Sequence, residues 1–220
     1  MAVSLVCGAG GALGTAVVSA LLARGDRVVA ADRHGGAERE GIRQETLDLT
    51  SPEQVASLWE RLATDGETPR FLVNVTGGFR GGTVADSDPE SVRFLADLNL
   101  GTAWWSCREG ARHLPEGGAI VNVASRSAVT GGAGAAAYSV AKAGVVRLTE
   151  VLATELSDRR VRVNAILPSV IDTPANHAAM SPEALRKAVA PGEVAAVVSF
   201  LLSDAAAAVT GAIVPVYGFG

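Results

Sequence analysis

Short apolar runs rich in β-branched residues alternate along this chain with longer stretches whose apolar positions recur every three to four residues. That alternation is the pattern of parallel strands joined by crossover helices. Residues 3 to 7 (Val-Ser-Leu-Val-Cys) read as a buried strand that runs into a glycine turn. Leu13, Val17, Ala20 and Leu21 then mark a helix face, which closes at Arg24-Gly25. Arg27 to Ala31 is the second strand and Gln44 to Leu49 a weaker third. Ser51-Pro52-Glu53-Gln54 predicts a helix start, with Ser51 as N-cap, Pro52 in the first turn and Gln54 completing a capping box. Val55, Leu58, Trp59 and Leu62 form its apolar face.

Phe71 to Val75 is the fourth strand. Asp88-Pro89-Glu90 opens another helix by the same device, and a further helical stretch covers Gly101 to His113. Ala119 to Ala124 is the fifth strand, and Tyr138 to Leu156 the longest helix, with Val145, Leu148, Leu152 and Leu156 on one face. Val161 to Leu167, a helix over Glu193 to Leu202 and a strand over Ala212 to Val216 complete the series. No Pro/Ser-rich linker and no repeat divides it. The expectation is a single doubly wound α/β domain of Rossmann type over residues 1–220. Its parallel seven-stranded sheet has the order 3-2-1-4-5-6-7, with helices on both faces.

Composition narrows the partners. The 220 residues are 48% hydrophobic with a net charge of -4, which excludes a disordered chain. No Lys/Arg block tracks a phosphate backbone, so nucleic acid is not expected as a partner. Residues 1 to 23 carry no charge, but there is no basic leader, and Gly8, Gly10, Gly11 and Gly14 interrupt the apolar run. No other window is long and apolar enough to span a membrane, so the chain reads as soluble and cytoplasmic. Cys7 and Cys107 make no disulfide framework, and His34, His113 and His177 have no metal-ligand spacing; no metal is expected. What stands out is 25 glycines without a collagen period.

The glycines cluster where chemistry is expected. Cys7-Gly8-Ala9-Gly10-Gly11-Ala12-Leu13-Gly14 links the first strand to the first helix, where backbone amides and the helix dipole suit a pyrophosphate. It is not a clean GxGxxG, because Leu13 stands at the last glycine position, and alone it equally describes a tight turn. The second strand leads to Asp32, whose carboxylate at this place accepts from ribose hydroxyls and repels a 2′-phosphate. That favours NAD(H). Arg33 follows and offers a phosphate partner, so NADP(H) stays open. Asp48, beside Leu49, either borders an adenine pocket or caps the turn into Ser51.

Tyr138 and Lys142 are four residues apart and share a helix face. Ser125 lies thirteen residues earlier, at the C-terminal end of the fifth strand, the edge where such sheets bind ligands. A phenol with an ordinary pKa of about 10 is a poor proton carrier at neutral pH, and an adjacent ammonium stabilises its phenolate. Ser125 is placed to hydrogen-bond a substrate oxygen.

These residues resemble the short-chain dehydrogenase/reductase family over nearly the whole chain. The family's TGxxxGxG turn stands here as Cys7 to Gly14, with Cys7 for threonine and Ala12 for the middle glycine. Its NNAG segment appears as Asn74-Val75-Thr76-Gly77. Asn99 matches its structural asparagine, and Ser125, Tyr138 and Lys142 complete the tetrad. Asn164, Pro168 and Ser169 match the segment after strand six, and Ile171 and Thr173 fall where the family contacts the nicotinamide carboxamide. Within the family, the Gly-Ala-Leu-Gly turn and Gly77-Gly78-Phe79 are nearest in motif to the branch containing quinoid dihydropteridine reductase. The resemblance implies reversible hydride transfer between a nicotinamide and a small carbonyl or imine substrate. Tyr138 is then acid and base, Lys142 lowers its pKa and holds the ribose, and Asn99 holds a water linking Lys142 to solvent. It also implies a homodimer or homotetramer built on the helices around residues 101–113 and 138–156, with one of Trp104 and Trp105 in the subunit interface. Two alternatives remain at this point: an NADPH-dependent ketoreductase of acyl or polyketide chains, and a non-catalytic cofactor-binding regulator. The substrate wall, Pro174 to Pro191, is short and alanine-rich, with Asn176, His177 and Met180 its distinctive side chains. An open or mobile lid is expected.

Overall fold

In a computed structural model, which describes residues 1–36 and 39–219, the strands pair side by side in the order β3-β2-β1-β4-β5-β6-β7. They are β1 (Val3–Cys7), β2 (Arg27–Asp32), β3 (Ile42–Thr46), β4 (Phe71–Asn74), β5 (Ala119–Val123), β6 (Arg162–Pro168) and β7 (Ile213–Val216). All six pairings are parallel. The helices between them are α1 (Ala12–Ala23), α2 (Pro52–Thr64), α3 (Pro89–Ala96), α4 (Thr102–His113) and α5 (Ala136–Glu155). Three follow β6: α6 (Pro174–Ala179), α7 (Pro182–Leu185) and α8 (Pro191–Leu202). The strand order and class are those expected.

Alternation along each strand divides the interior into two cores. Leu5 and Cys7 of β1 face the side covered by α2, α4 and α5. Val6 faces the side covered by α1 and α8. Because β1 pairs with both β2 and β4, the winding reverses beside it, which opens a crevice at the C-terminal ends of β1 and β4.

Three local expectations are corrected. The third strand is Ile42–Thr46 rather than Gln44 to Leu49. It pairs with β2 alone, from Val28↔Ile42 to Asp32↔Thr46, and its Arg43 and Glu45 join surface ion pairs with Asp65, Glu67 and Arg61. Leu47 and Leu49 are buried beyond its end, in the connection that enters the crevice. The capping box is half-made. Ser51 accepts from the Gln54 N–H at 3.2 Å, but the Gln54 side chain reaches past it to the Asp48 N–H at 2.9 Å. Finally, α3 and α4 are one continuous helical stretch, joined by a π-turn at Asp97–Gly101.

Candidate active site

The crevice is a cleft of about 680 Å³ running over the glycine turn. Its tightest point is Gly14, where a Cβ would stand 2.0 Å from the Gly8 carbonyl oxygen. Only glycine lets α1 begin this close to the strand. Gly11 caps α1 without a side chain, so the first-turn amides are left for a ligand. The Gly10 N–H donates to Asp32 Oδ2 at 2.9 Å, so the carboxylate expected to meet a ribose also braces the turn. Thr76 Oγ1, on the cleft wall, is buried with no protein partner. An anion cradle, an acidic residue at the β2 end and an orphaned hydroxyl suit a dinucleotide. Arg33 reaches Asp48 at 3.6 Å. Asp48 lines the cleft and accepts from Thr50 N–H and Oγ1 at 2.9 and 2.7 Å. Those bonds, ahead of Arg33, hold its carboxyl below the ordinary range.

A second cavity, about 210 Å³, adjoins the cleft and shares Leu13, Val75 and Gly77 with it. Asn99, Ser125, Tyr138 and Lys142 all line it. The π-turn aims Asn99 inward, where its Nδ2 donates to the Gly78 and Leu95 carbonyls at 3.0 Å each and its Oδ1 accepts from Gly78 N–H at 3.2 Å. A Cβ on Gly77 would lie 2.8 Å from Asn99 Oδ1 and 3.0 Å from Lys142 Nζ. The glycine leaves these two side chains room to converge. Lys142 is 3% exposed and donates from Nζ to the Val123 carbonyl at 2.9 Å. Burial alone brings its pKa down to about 8. Burial also pushes the Tyr138 phenol above its ordinary value, and the Ser125 hydroxyl, within hydrogen-bonding reach, opposes that rise. The phenol ring meets the edge of Phe79 at 5.2 Å.

Comparison with known proteins places this fold in a family. The family model described as Enoyl-(Acyl carrier protein) reductase covers residues 8–218. The chain is 32% identical to D-threitol dehydrogenase of Mycolicibacterium smegmatis, over 96% of this chain and 89% of that one. It is also 32% identical to a 3-oxoacyl-(acyl-carrier-protein) reductase of Pseudomonas aeruginosa, over 94% and 88%. The chain belongs to the short-chain dehydrogenase/reductase family. Among solved structures, Thermoplasma acidophilum aldohexose dehydrogenase superposes with a TM-score of 0.90 at 26% identity, covering 99% of this chain and 92% of that one. A short-chain dehydrogenase family protein from Francisella tularensis gives 0.89 at 26% identity, over 99% and 98%. The protein is therefore an oxidoreductase of an NAD(P)-dependent family, which sets aside the non-catalytic reading.

In this dehydrogenase/reductase every candidate residue borders one of the two cavities. Gly8, Gly10, Gly11, Ala12, Gly14, Asp32, Arg33, Asp48, Leu49, Thr76 and Thr173 line the cleft. Pro168, Ser169 and Ile171 line the smaller cavity with the tetrad. Reading the sequence missed Leu98 and Thr102, which reach the cleft from the π-turn region, and Phe79 against Tyr138. A π-turn has no local signature, so nothing could have placed Leu98; Phe79 was visible in the glycine segment but carried no assigned role. The substrate segment is pinned at its base. Ile171 bridges Val189, and Asp172 N–H donates to the Val189 carbonyl at 2.9 Å. Trp105 packs against the core, while Trp104 is 49% exposed. Among the described residues no helix is long and apolar enough to cross a membrane.

Proposed function

We propose that this enzyme transfers a hydride reversibly between NAD(H) and a carbonyl or imine carbon of a small molecule, with Tyr138 as general acid and base. The observation that carries it is the convergence of Ser125, Tyr138 and buried Lys142 on a cavity continuous with the dinucleotide cleft. When bound, the nicotinamide supplies the hydride. Asp32 and the Gly8 to Gly14 turn would hold the adenosine and pyrophosphate, and Lys142 the nicotinamide ribose. During reduction Tyr138 donates its proton to the substrate oxygen; during oxidation it takes one back. Ser125 orients that oxygen. Asn99 fixes the Gly78 backbone through two hydrogen bonds and would hold the water that connects Lys142 to solvent. Burial raises the Tyr138 pKa and the Ser125 hydroxyl opposes that rise; a Lys142 ammonium drawn close to the phenolate would oppose it further.

A second reading, an NADPH-dependent ketoreductase of acyl or polyketide chains, is supported by the acyl-carrier-protein reductase among the relatives. The dihydropteridine-type motif leaves an imine-like substrate beside the alcohols and carbonyls that the other relatives' names suggest. The α4–α5 face, with exposed Trp104 and Val151 over a groove of about 570 Å³, supports a homodimer or homotetramer.

Two measurements test the general acid and base and separate the cofactor readings. Tyr138→Phe should cut kcat by roughly 100-fold or more while leaving the NADH dissociation constant nearly unchanged. Near-normal turnover in that variant would sink the assignment. In the same titrations NADPH should bind more weakly than NADH, and the reverse order would favour the ketoreductase.

A further inference from the structure

Ser127 lies two residues beyond Ser125, on the short 3₁₀ segment Arg126–Ala128 that follows β5. Its Oγ stands 3.0 Å from Ser125 Oγ, and its backbone N–H donates to the same oxygen at 3.3 Å. Ser125 is held in extended backbone as the N-cap of this segment, so both contacts are built into the turn. Ser127 is itself partly buried, and its hydroxyl is given this one side-chain partner.

A serine hydroxyl has one hydrogen to donate and two lone pairs with which to accept. We propose that Ser127 is a positioning residue: its N–H and O–H together fill both acceptor sites of Ser125 and so direct the single Ser125 hydrogen into the cavity, toward Tyr138 and the substrate oxygen. This rests on the reading of Tyr138 as general acid and base.

The consequence is directional. With both lone pairs taken, Ser125 cannot accept from Tyr138, and the phenol hydrogen stays available for the substrate oxygen. Once that proton has left, the aligned hydroxyls Ser127→Ser125 point toward the phenolate and strengthen one another. No proton passes through Ser127; only the direction of its O–H bond matters. In Ser127→Ala one lone pair of Ser125 opens, Tyr138 can donate into it, and its proton is diverted from the substrate. Two other groups face the phenol, Lys142 from its own helix and Phe79 from the segment after β4, and neither is disturbed by the change.

Ser127→Ala should lower kcat by roughly three- to tenfold, the span one such hydrogen bond commands. It should raise the acidic-limb pKa of the kcat profile for alcohol oxidation by about half a unit to one unit. The NADH dissociation constant should not change, and Ser127→Thr, which keeps the hydroxyl, should recover most of the rate. An unchanged pH profile in Ser127→Ala overturns the inference, whether kcat is normal or reduced, because a purely structural loss would not move it. So does a threonine variant as slow as alanine with the profile of the unmodified enzyme. If instead Tyr138→Phe keeps its turnover, the underlying reading fails; if only the serine variants behave as wild type, the Ser127 role alone is lost.

Discussion

The two ends of the active site are built in opposite ways. On the dinucleotide side, position is set by backbone against backbone. A Cβ at Gly14 would meet the Gly8 carbonyl oxygen, and one at Gly8 would stand 2.6 Å from the Thr76 backbone nitrogen. On the substrate side, α6 and α7 are short, and side chains tie their loop: Asn176 Nδ2 to the Ile171 carbonyl at 2.7 Å, Thr173 Oγ1 capping Asn176 N–H at 3.2 Å, and His177 against Asp172 at 2.5 Å. Below it, the Ile171–Val189 bridge and its neighbouring backbone bonds close the base of the loop. Rigid backbone suits a ligand that every turnover shares. A segment held by a few side chains can be altered without disturbing that machinery. The comparison therefore predicts a steep gradient of mutational cost from one end to the other.

The largest effect belongs to the turn. Gly14→Ala places a carbon 2.0 Å from a main-chain oxygen that has no freedom to rotate away. The expected cost is about 4 kcal/mol of stability or more, with NADH binding lost in whatever folds. Thermal denaturation and NADH fluorescence titration check it. A variant as stable as wild type with an intact cofactor site would remove the backbone argument from the comparison.

That gradient also explains what could be read from the chain. The glycine turn, Asp32 and the Ser125–Tyr138–Lys142 spacing are local signals whose meaning survives without tertiary structure. The parallel α/β class was legible because helical and strand periodicities alternate cleanly, and the strand order followed from the doubly wound topology. The third strand was not. Leu47 and Leu49 are buried as strongly as strand residues, yet they sit in the connection beyond the strand and pack into the α2-side core, while the true edge strand spends Arg43 and Glu45 on ion pairs. Gln54 looked like a capping-box partner, and only the fold could offer it the Asp48 N–H instead. Asn99 could be matched by resemblance, but the π-turn that aims it into the cavity leaves no trace in residue types. The role of Ser127 likewise depends on a distance, not on a spacing.

Between the two ends sits Lys142, where function opposes stability. Its burial without a carboxylate partner lowers its pKa from 10.5 to about 8, so the folded state disfavours the charged form. Below about pH 8 both folded and unfolded chains hold the proton, and the full cost of the buried cation is present. Between about 8 and 10.5 the folded protein sheds the proton while the unfolded chain keeps it, so stability rises with pH. At 1.36 kcal/mol per unit the rise attributable to Lys142 is about 3 kcal/mol. Lys142→Met should abolish activity and remove that rise. Denaturant titrations at pH 7 and pH 10.5 on both proteins isolate it, since every other group cancels in the comparison. Equal pH dependence in the two would mean that Lys142 is not desolvated as its surroundings imply.

The smallest effect is expected at the far end, and it is the sharpest test of the contrast. His177 and Asp172 are both more than half exposed, so their pairing is screened by solvent and is worth under about 1 kcal/mol. Its removal should leave the fold, the NADH dissociation constant and kcat untouched, because no bond of either residue reaches the glycine turn or the tetrad. What it restrains is the start of the segment, where Asp172 directly follows Ile171, a wall of the smaller cavity that holds Ser125 and Tyr138. His177→Ala should therefore raise the KM for the carbonyl substrate by roughly two- to threefold, the equivalent of about half a kcal/mol. High salt supplies an independent arm. Added to the wild-type enzyme it should weaken the pair and raise KM in the same sense, while KM of the alanine variant stays flat. A fall in kcat, or a change in NADH affinity, would show that the lid communicates with the rigid half, and the two ends would then have to be treated as one cooperative site.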